Sequence, residues 1–298
     1  MKHYKAHIAL IVANVFFGIN FPVAKSLMPD FLHPIEIIIL RSGISSLLFW
    51  VIGSFFYYQK TERKDILRLA LCGLFGVSIN QLMFFEGLNL STPIDASIIL
   101  VSVPVMVVII SGVLNKEKIS TIKIIGILVG AVGALITIVY GKRLSSGSDP
   151  LRGNIYLFIN AFCYSIYFVI VKPLMAKYNA FTVMKWTFLF GFLFVLPFSF
   201  HAFESVNWAS FSFVIWSSLA YVIVATTFLA YLLIAYSMKY VNSGVASFYI
   251  YFQPIVASLL AIIIYGENIT FIKILSAFMI FIGVYLVGRK SKIEGKTI

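Results

Sequence analysis

Charge is what this chain lacks most. Only 11% of its 298 residues are Asp, Glu, Lys or Arg, against about 25% in a soluble globular domain. So little charge cannot cover a water-facing surface. Cysteine is scarce as well: Cys72 and Cys163 both lie within apolar runs, which favours packing over a disulfide. The four histidines are His3, His7, His33 and His201. They sit at the N-terminus and in loops, so they suggest no metal site. The chain has no His-Glu-x-x-His, no Gly-x-Ser-x-Gly and no Walker loop. Zinc hydrolysis, serine acyl transfer and ATP hydrolysis thus have no motif to rest on.

What is present is apolar: 61% hydrophobic residues and a mean hydropathy of +0.99. Runs of about 20 such residues read as membrane spans. The formal net charge of +12 does not indicate nucleic acid, because the basic residues sit in short clusters between apolar runs. Ten segments can be drawn: 7–28, 34–58, 69–89, 94–114, 121–140, 153–173, 180–200, 211–237, 243–264 and 271–289. Backbone groups in lipid must be satisfied internally, and the runs are too long for alternating barrel strands. The expectation is an all-α membrane protein with ten helices. The N-terminal run resembles a signal peptide but continues past Asn14 and Asn20 to Met28 with no small-residue cleavage site. It reads as a retained first span.

The segment 96–124 occurs twice. With a shift of 150 and no gap, Ala96-Ser97, Pro104, Glu117, Ile119 and Ile122-Lys123-Ile124 coincide with Ala246-Ser247, Pro254, Glu267, Ile269 and Ile272-Lys273-Ile274. A shared apolar composition gives scattered Ile and Val matches, not a matched Pro, Glu and Lys. The chain therefore reads as two related halves: a first repeat at 1–140, a linker at 141–152, a second repeat at 153–290 and a tail at 291–298. Five helices per half is an odd number, so the halves enter from opposite sides as an inverted repeat. Such repeats place a binding site near mid-membrane and alternate its access. With the N-terminus inside, 17 Lys and Arg fall inside and 5 outside, which puts both termini in the cytoplasm.

Several polar residues interrupt the spans. Asn14, Gly18, Phe21 and Lys25 share a face of the first helix, and Pro22 can kink it. Either this face lines a solute path, or Asn14 bonds a neighbour and Gly18 lets one approach. The equivalent segment, with a shift of 147, offers Asn160, Tyr164 and Tyr167. Asn80 and Gln81 sit mid-helix about 100° apart, Tyr231 aligns with Gln81, and Tyr249 and Gln253 are i, i+4 neighbours before Pro254. An amide and aromatic cavity suits a small amphipathic solute. Lys25, Arg41, Glu86 and Asp95 fall in the outer half of the membrane or at its edge, where an ionisable group is a functional hypothesis. Arg41–Glu86 and Lys25–Asp95 are the candidate pairs. They read either as an outer gate, with Glu86 a protonatable coupling group, or as static ties between helices. The repeated Glu117 and Glu267 read as turn residues, with Ser120 and Thr270 as N-caps.

These residues resemble the EamA family of the drug/metabolite transporter superfamily. FFGINFPVAK resembles its aromatic-Gly-x-x-Phe-x-x-x-Lys pattern, giving Gly18, Phe21 and Lys25. Leu40-Arg41 resembles its second-helix Leu-Arg, and the repeated segment resembles its signature ending Gly-Glu-x-Ile/Leu-Ser/Thr. The first copy has Lys116-Glu117 where the second keeps Gly266-Glu267, and Phe17 stands where many members carry Trp. The resemblance implies an inner-membrane permease of ten helices around a central cavity, without cofactor, exporting amino acids or other small metabolites or toxic compounds. Its partners are then a small-molecule solute and the lipid bilayer, with protons a candidate coupling ion. Drug or cation efflux, metabolite uptake and a non-transporting scaffold are the alternatives.

Overall fold

The computed structural model describes residues 2–57, 59–114, 121–144, 147–199, 202–204, 206–266 and 269–288. The turns with Glu117, Ser120 and Glu267 lie outside these. In chain order the principal helices are α1 (Lys2–Leu27), α2 (Pro34–Phe56), α3 (Arg63–Leu90), α4 (Pro93–Leu114) and α5 (Thr121–Leu144). The second series is α6 (Pro150–Lys177), α7 (Ala180–Val195), α8 (Phe213–Met238), α9 (Ser243–Ile264) and α10 (Phe271–Gly288). Among the described residues eight helices, all but α5 and α10, are long and apolar enough to cross a membrane. The chain is an all-α, multi-span membrane protein.

Capping residues set the helix starts. Thr92 Oγ1 accepts from Asp95 N at 3.3 Å to begin α4, and Asn242 Oδ1 accepts from Val245 N at 2.7 Å to begin α9. Thr92 and Asn242 are 150 residues apart. Thr270 Oγ1 accepts from Lys273 N at 3.4 Å, the expected cap of α10. Gly266 closes α9 with φ of 62°, a left-handed conformation that glycine adopts without strain. Helix α3 starts six residues before the apolar run because its first turn carries Arg63, Lys64 and Asp65, a charged turn that hydropathy does not register. Pro197 ends the regular part of α7 in a short 3-10 turn. Helix α1 runs through Pro22 unbroken.

Among the described residues, four helices depart from regular α geometry within their length, at matching places. A π-type stretch occupies Leu74–Ser78 of α3 and Tyr221–Leu229 of α8. Helix α4 loosens at Val101–Ser102, and α9 turns 3-10 over Tyr249–Tyr251. These last two sites lie just before Pro104 and Pro254. Proline has no N–H to give the preceding turn, which explains why the repeated proline coincides with a break.

The packing repeats as well. Helix α1 packs on α8 and α9 as α6 packs on α3 and α4; α2 lies on α8 as α7 lies on α3. The pairs α2–α7, α4–α9 and α5–α10 join the halves directly. The burial pattern is that of a lipid-facing protein. Leu47, Phe55, Leu128, Phe213, Ile263 and Phe278 are exposed, while Asn14, Asn20, Arg41, Asn80, Asn160 and Gln253 are buried.

The α5–α10 contact is backbone on backbone: a Cβ on Gly283 would stand 2.6 Å from Gly126 O and from Gly130 N. Gly283→Val is therefore expected to destabilise the fold by about 1–3 kcal/mol through overpacking, read as a lower Tm in detergent, whereas the lipid-facing Phe278→Leu leaves Tm nearly unchanged.

Candidate functional site

A cavity opens where α1, α2, α3, α4, α6, α8 and α9 meet. Its polar lining is Asn20, Arg41, Asn80, Gln81, Asn160 and Gln253. Phe17, Phe21, Phe84, Leu100, Tyr164 and Tyr231 supply the apolar walls.

Hydrogen bonds between the halves build the floor of this cavity. Asn80 Nδ2 donates to Asn160 O at 3.2 Å, and Asn160 Nδ2 donates to Asn80 O at 2.7 Å. The Tyr231 hydroxyl donates to Gly76 O at 3.1 Å, inside the π-type stretch of α3. Gln81 Nε2 lies 3.5 Å from that hydroxyl. Arg41 Nε donates to Thr227 Oγ1 at 2.7 Å, and Thr226 Oγ1 lies 3.1 Å from Asn20 Oδ1. Both threonines lie in the π-type stretch of α8, whose altered pitch turns two adjacent hydroxyls toward α1 and α2. π-bulges recur at functional sites.

The residues singled out in the sequence do not all reach the cavity. Phe21, Arg41, Asn80, Gln81, Asn160, Tyr164, Tyr231 and Gln253 line the cavity. Asn14 stands behind it, accepting from Gln253 Nε2 at 2.7 Å and donating to Leu10 O at 2.8 Å. Tyr167 is buried next to Tyr164, their rings nearly parallel at 6.0 Å. Gly18 makes a helix contact: a Cβ there would meet Val256 Cβ at 2.6 Å. The Tyr249 hydroxyl is 2.7 Å from His7 Nδ1, toward one end of the bundle. Asn20, Phe17, Phe84 and Leu100 complete the lining. The i, i+4 relation of Phe84 to Asn80 was the available signal for Phe84, and Asn20 stands six residues after Asn14, off the face chosen on α1.

The expected ion pairs form differently. Arg41 does not meet Glu86; its guanidinium sits 4.8 Å over the Phe85 ring, one residue earlier on α3. Glu86 is half-buried. Asp95 pairs with Lys273 at 3.1 Å, both side chains buried. Lys25 Nζ donates to Leu88 O, Asn89 O and Ser91 O at 3.0, 2.6 and 3.0 Å. These are the free carbonyls at the end of α3, where a cation is favoured. Lys172 does the same at the end of α8, donating to Met238 O and to Val241 O. Leu88 and Ser91 are 150 residues from Met238 and Val241. Periodicity placed the lysines on their helices, but a bond to a distant backbone carbonyl leaves no pattern in side-chain types.

At one end of the bundle, Lys177 binds Glu62 and Asp65, each at 2.6 Å. The Tyr178 hydroxyl donates to Asp65 at 2.6 Å, and Trp186 Nε1 donates to Thr61 Oγ1 at 2.9 Å. This cluster ties the α2–α3 connection to the α6–α7 turn. The Lys177 and Lys64 ammoniums hold the Glu62 carboxyl below its usual range. Among the described residues no three His, Cys, Asp or Glu side chains come together to hold a metal.

The comparisons agree with this geometry. An uncharacterized transporter of Archaeoglobus fulgidus is 26% identical over 290 residues, covering 96% of this chain and 99% of its own. The uncharacterized transporter YetK of Bacillus subtilis is 24% identical over 98% of this chain and 89% of its own. The uncharacterized inner membrane transporter YicL of Salmonella typhimurium is 23% identical over 97% and 96%. A solved crystal structure superposes on 99% of this chain and all of its own with a TM-score of 0.67 at 16% identity, a likeness of fold.

Two predictions follow from the helix ends. Lys25→Met and Lys172→Met strip charge-assisted bonds worth about 1.5–3 kcal/mol; each is expected to lower Tm, by similar amounts because the two caps are equivalent. Glu62 has a depressed folded-state pKa, so its contribution is present above the ordinary carboxylate range and is lost as the pH falls below it. The Tm difference between wild type and Glu62→Gln is thus expected at neutral pH and is expected to vanish under acid.

The model of the EamA-like transporter family matches twice, at residues 4–139 and 151–289, and the chain belongs to that family: a membrane transporter of small molecules within the drug/metabolite transporter superfamily, and not an enzyme.

Proposed function

We propose that this protein is a secondary transporter that exports small amphipathic metabolites, amino acids first among them, by alternating access. The observation that carries the reading is the cavity. It lies deep within the bundle, is lined from both halves, and combines amide groups with aromatic walls. Inside a membrane such polar groups are costly unless they serve a path or a packing contact. Ten spans in two inverted five-helix repeats, 1–140 and 153–290, joined by 141–152 and followed by the tail 291–298, are the arrangement we propose. The matched breaks in α3 and α8 and in α4 and α9 support it, and so does the exchanged packing. The Lys and Arg distribution supports both termini in the cytoplasm, in a cell inner membrane. Export follows the family resemblance. A scaffold has no use for a polar cavity, and the buried Arg41 disfavours cationic drugs.

Solute counterflow in proteoliposomes, with labelled amino acids, nucleosides and cationic dyes at two pH values, tests this. The expected result is accumulation of amino acids, reduced about tenfold or more by Asn80→Ala or Gln253→Ala, each of which removes an amide from the lining. A pH effect abolished by Glu86→Gln would assign proton coupling to that carboxyl. Accumulation of dyes alone would turn the reading to cation efflux.

A further inference from the structure

The charge inside the cavity is of one sign. Arg41 is only 3% exposed, lines the cavity and forms no ion pair among the described residues. Its single hydrogen bond there is from Nε to Thr227, and Phe85 covers one face of the guanidinium. The two terminal nitrogens of the fork remain, and these match a carboxylate in a bidentate manner. No carboxylate of the protein is among the lining residues. A buried cation without a counterion is costly, and an incoming anion relieves that cost.

The same cavity holds two acceptors with nothing to accept. Gln81 Oε1 and Asn160 Oδ1 are buried and lack a hydrogen-bond partner, on side chains 2% and 3% exposed. Their amide nitrogens are already directed elsewhere, Gln81 Nε2 at the Tyr231 hydroxyl and Asn160 Nδ2 at Asn80 O. The oxygens are left as the unpartnered ends. An ammonium has three donors and no acceptor, and two carboxamide oxygens are suitable partners for it. Phe17, Phe21 and Phe84 offer apolar surface for what remains of the solute.

We propose that Arg41 anchors a solute carboxylate and that Gln81 and Asn160 receive a solute ammonium, so that the cavity takes a zwitterion and rejects a cation of the same shape. This rests on the reading of the cavity as the solute site. It adds what that reading leaves open, namely which pole of the solute meets which residue.

Calorimetric titration of the detergent-purified full chain tests it with three probes of one shape: L-phenylalanine, L-phenylalaninamide without the carboxylate, and 3-phenylpropionate without the ammonium. L-phenylalanine is expected to bind about tenfold or more tighter than either analogue, because each analogue leaves one set of buried groups unpaired. Arg41→Gln is expected to remove that advantage over the amide. Gln81→Leu and Asn160→Leu are expected to weaken L-phenylalanine while leaving 3-phenylpropionate unchanged, a split that a general loss of fold does not produce. If L-phenylalanine binds and neither Arg41→Gln nor the two leucine variants alters the ranking, the proposed poles are wrong while the transport reading stands. If none of the probes binds and a nucleoside does, the amino-acid reading fails and takes this inference with it.

Discussion

Inside a bilayer no water is at hand to satisfy a backbone group, so every break in a helix must be answered by the protein itself. That constraint organises this molecule. The four irregular stretches are not scattered; they fall where helices from both halves converge. There side chains take up groups that the helices release. The Tyr231 hydroxyl meets Gly76 O, Ser165 meets Val103 O, and Thr226 and Thr227 both reach Val222 O. The same constraint acts at helix ends, where Lys25 and Lys172 each gather the last carbonyls of a neighbouring helix. Hydrophobic burial contributes little to helix association in lipid, so these bonds and close glycine contacts carry much of the specificity.

What repeats and what does not repeat divide along functional lines. The scaffold residues recur: Pro104 and Pro254, Thr92 and Asn242, Lys25 and Lys172. Most of the polar cavity residues do not. Gln81 corresponds to Tyr231, Asn80 to Ala230, and Asn20 to Tyr167. A symmetric frame thus encloses an asymmetric site. The equivalent positions meet across the cavity, as the Gln81–Tyr231 contact illustrates, so divergence of one copy supplies a partner for the other.

This division also explains what could be read from the sequence. The spans were visible because lipid demands long apolar runs, and the repeat because Pro, Glu and Lys recur at one spacing. Most of the polar cavity residues were visible because an amide within a span is rare. Asn20 lies off the face that bears Asn14 and Gly18, and those two support helix contacts behind the cavity. The ion pairs were beyond reach for a simpler reason. Proximity in the membrane is set by which helices are neighbours, and Lys273 on α10 or the carbonyls of α3 cannot be chosen as partners from side-chain types alone.

The two lysine ties have a consequence for how the bundle can rearrange. Each is confined to one half, joining α1 to α3 and α6 to α8. The seam between the halves is fastened by charge as well. Arg41 reaches Thr227 beside the cavity, Lys177 pairs with Glu62 and Asp65 at the start of α3, and Asp95 pairs with Lys273 just beyond the end of α3. Charge-assisted bonds are roughly twice as strong as neutral ones. The two ion-pair ties thus stand at opposite ends of α3, and a seam that opens at one end breaks the pair there while the other can hold.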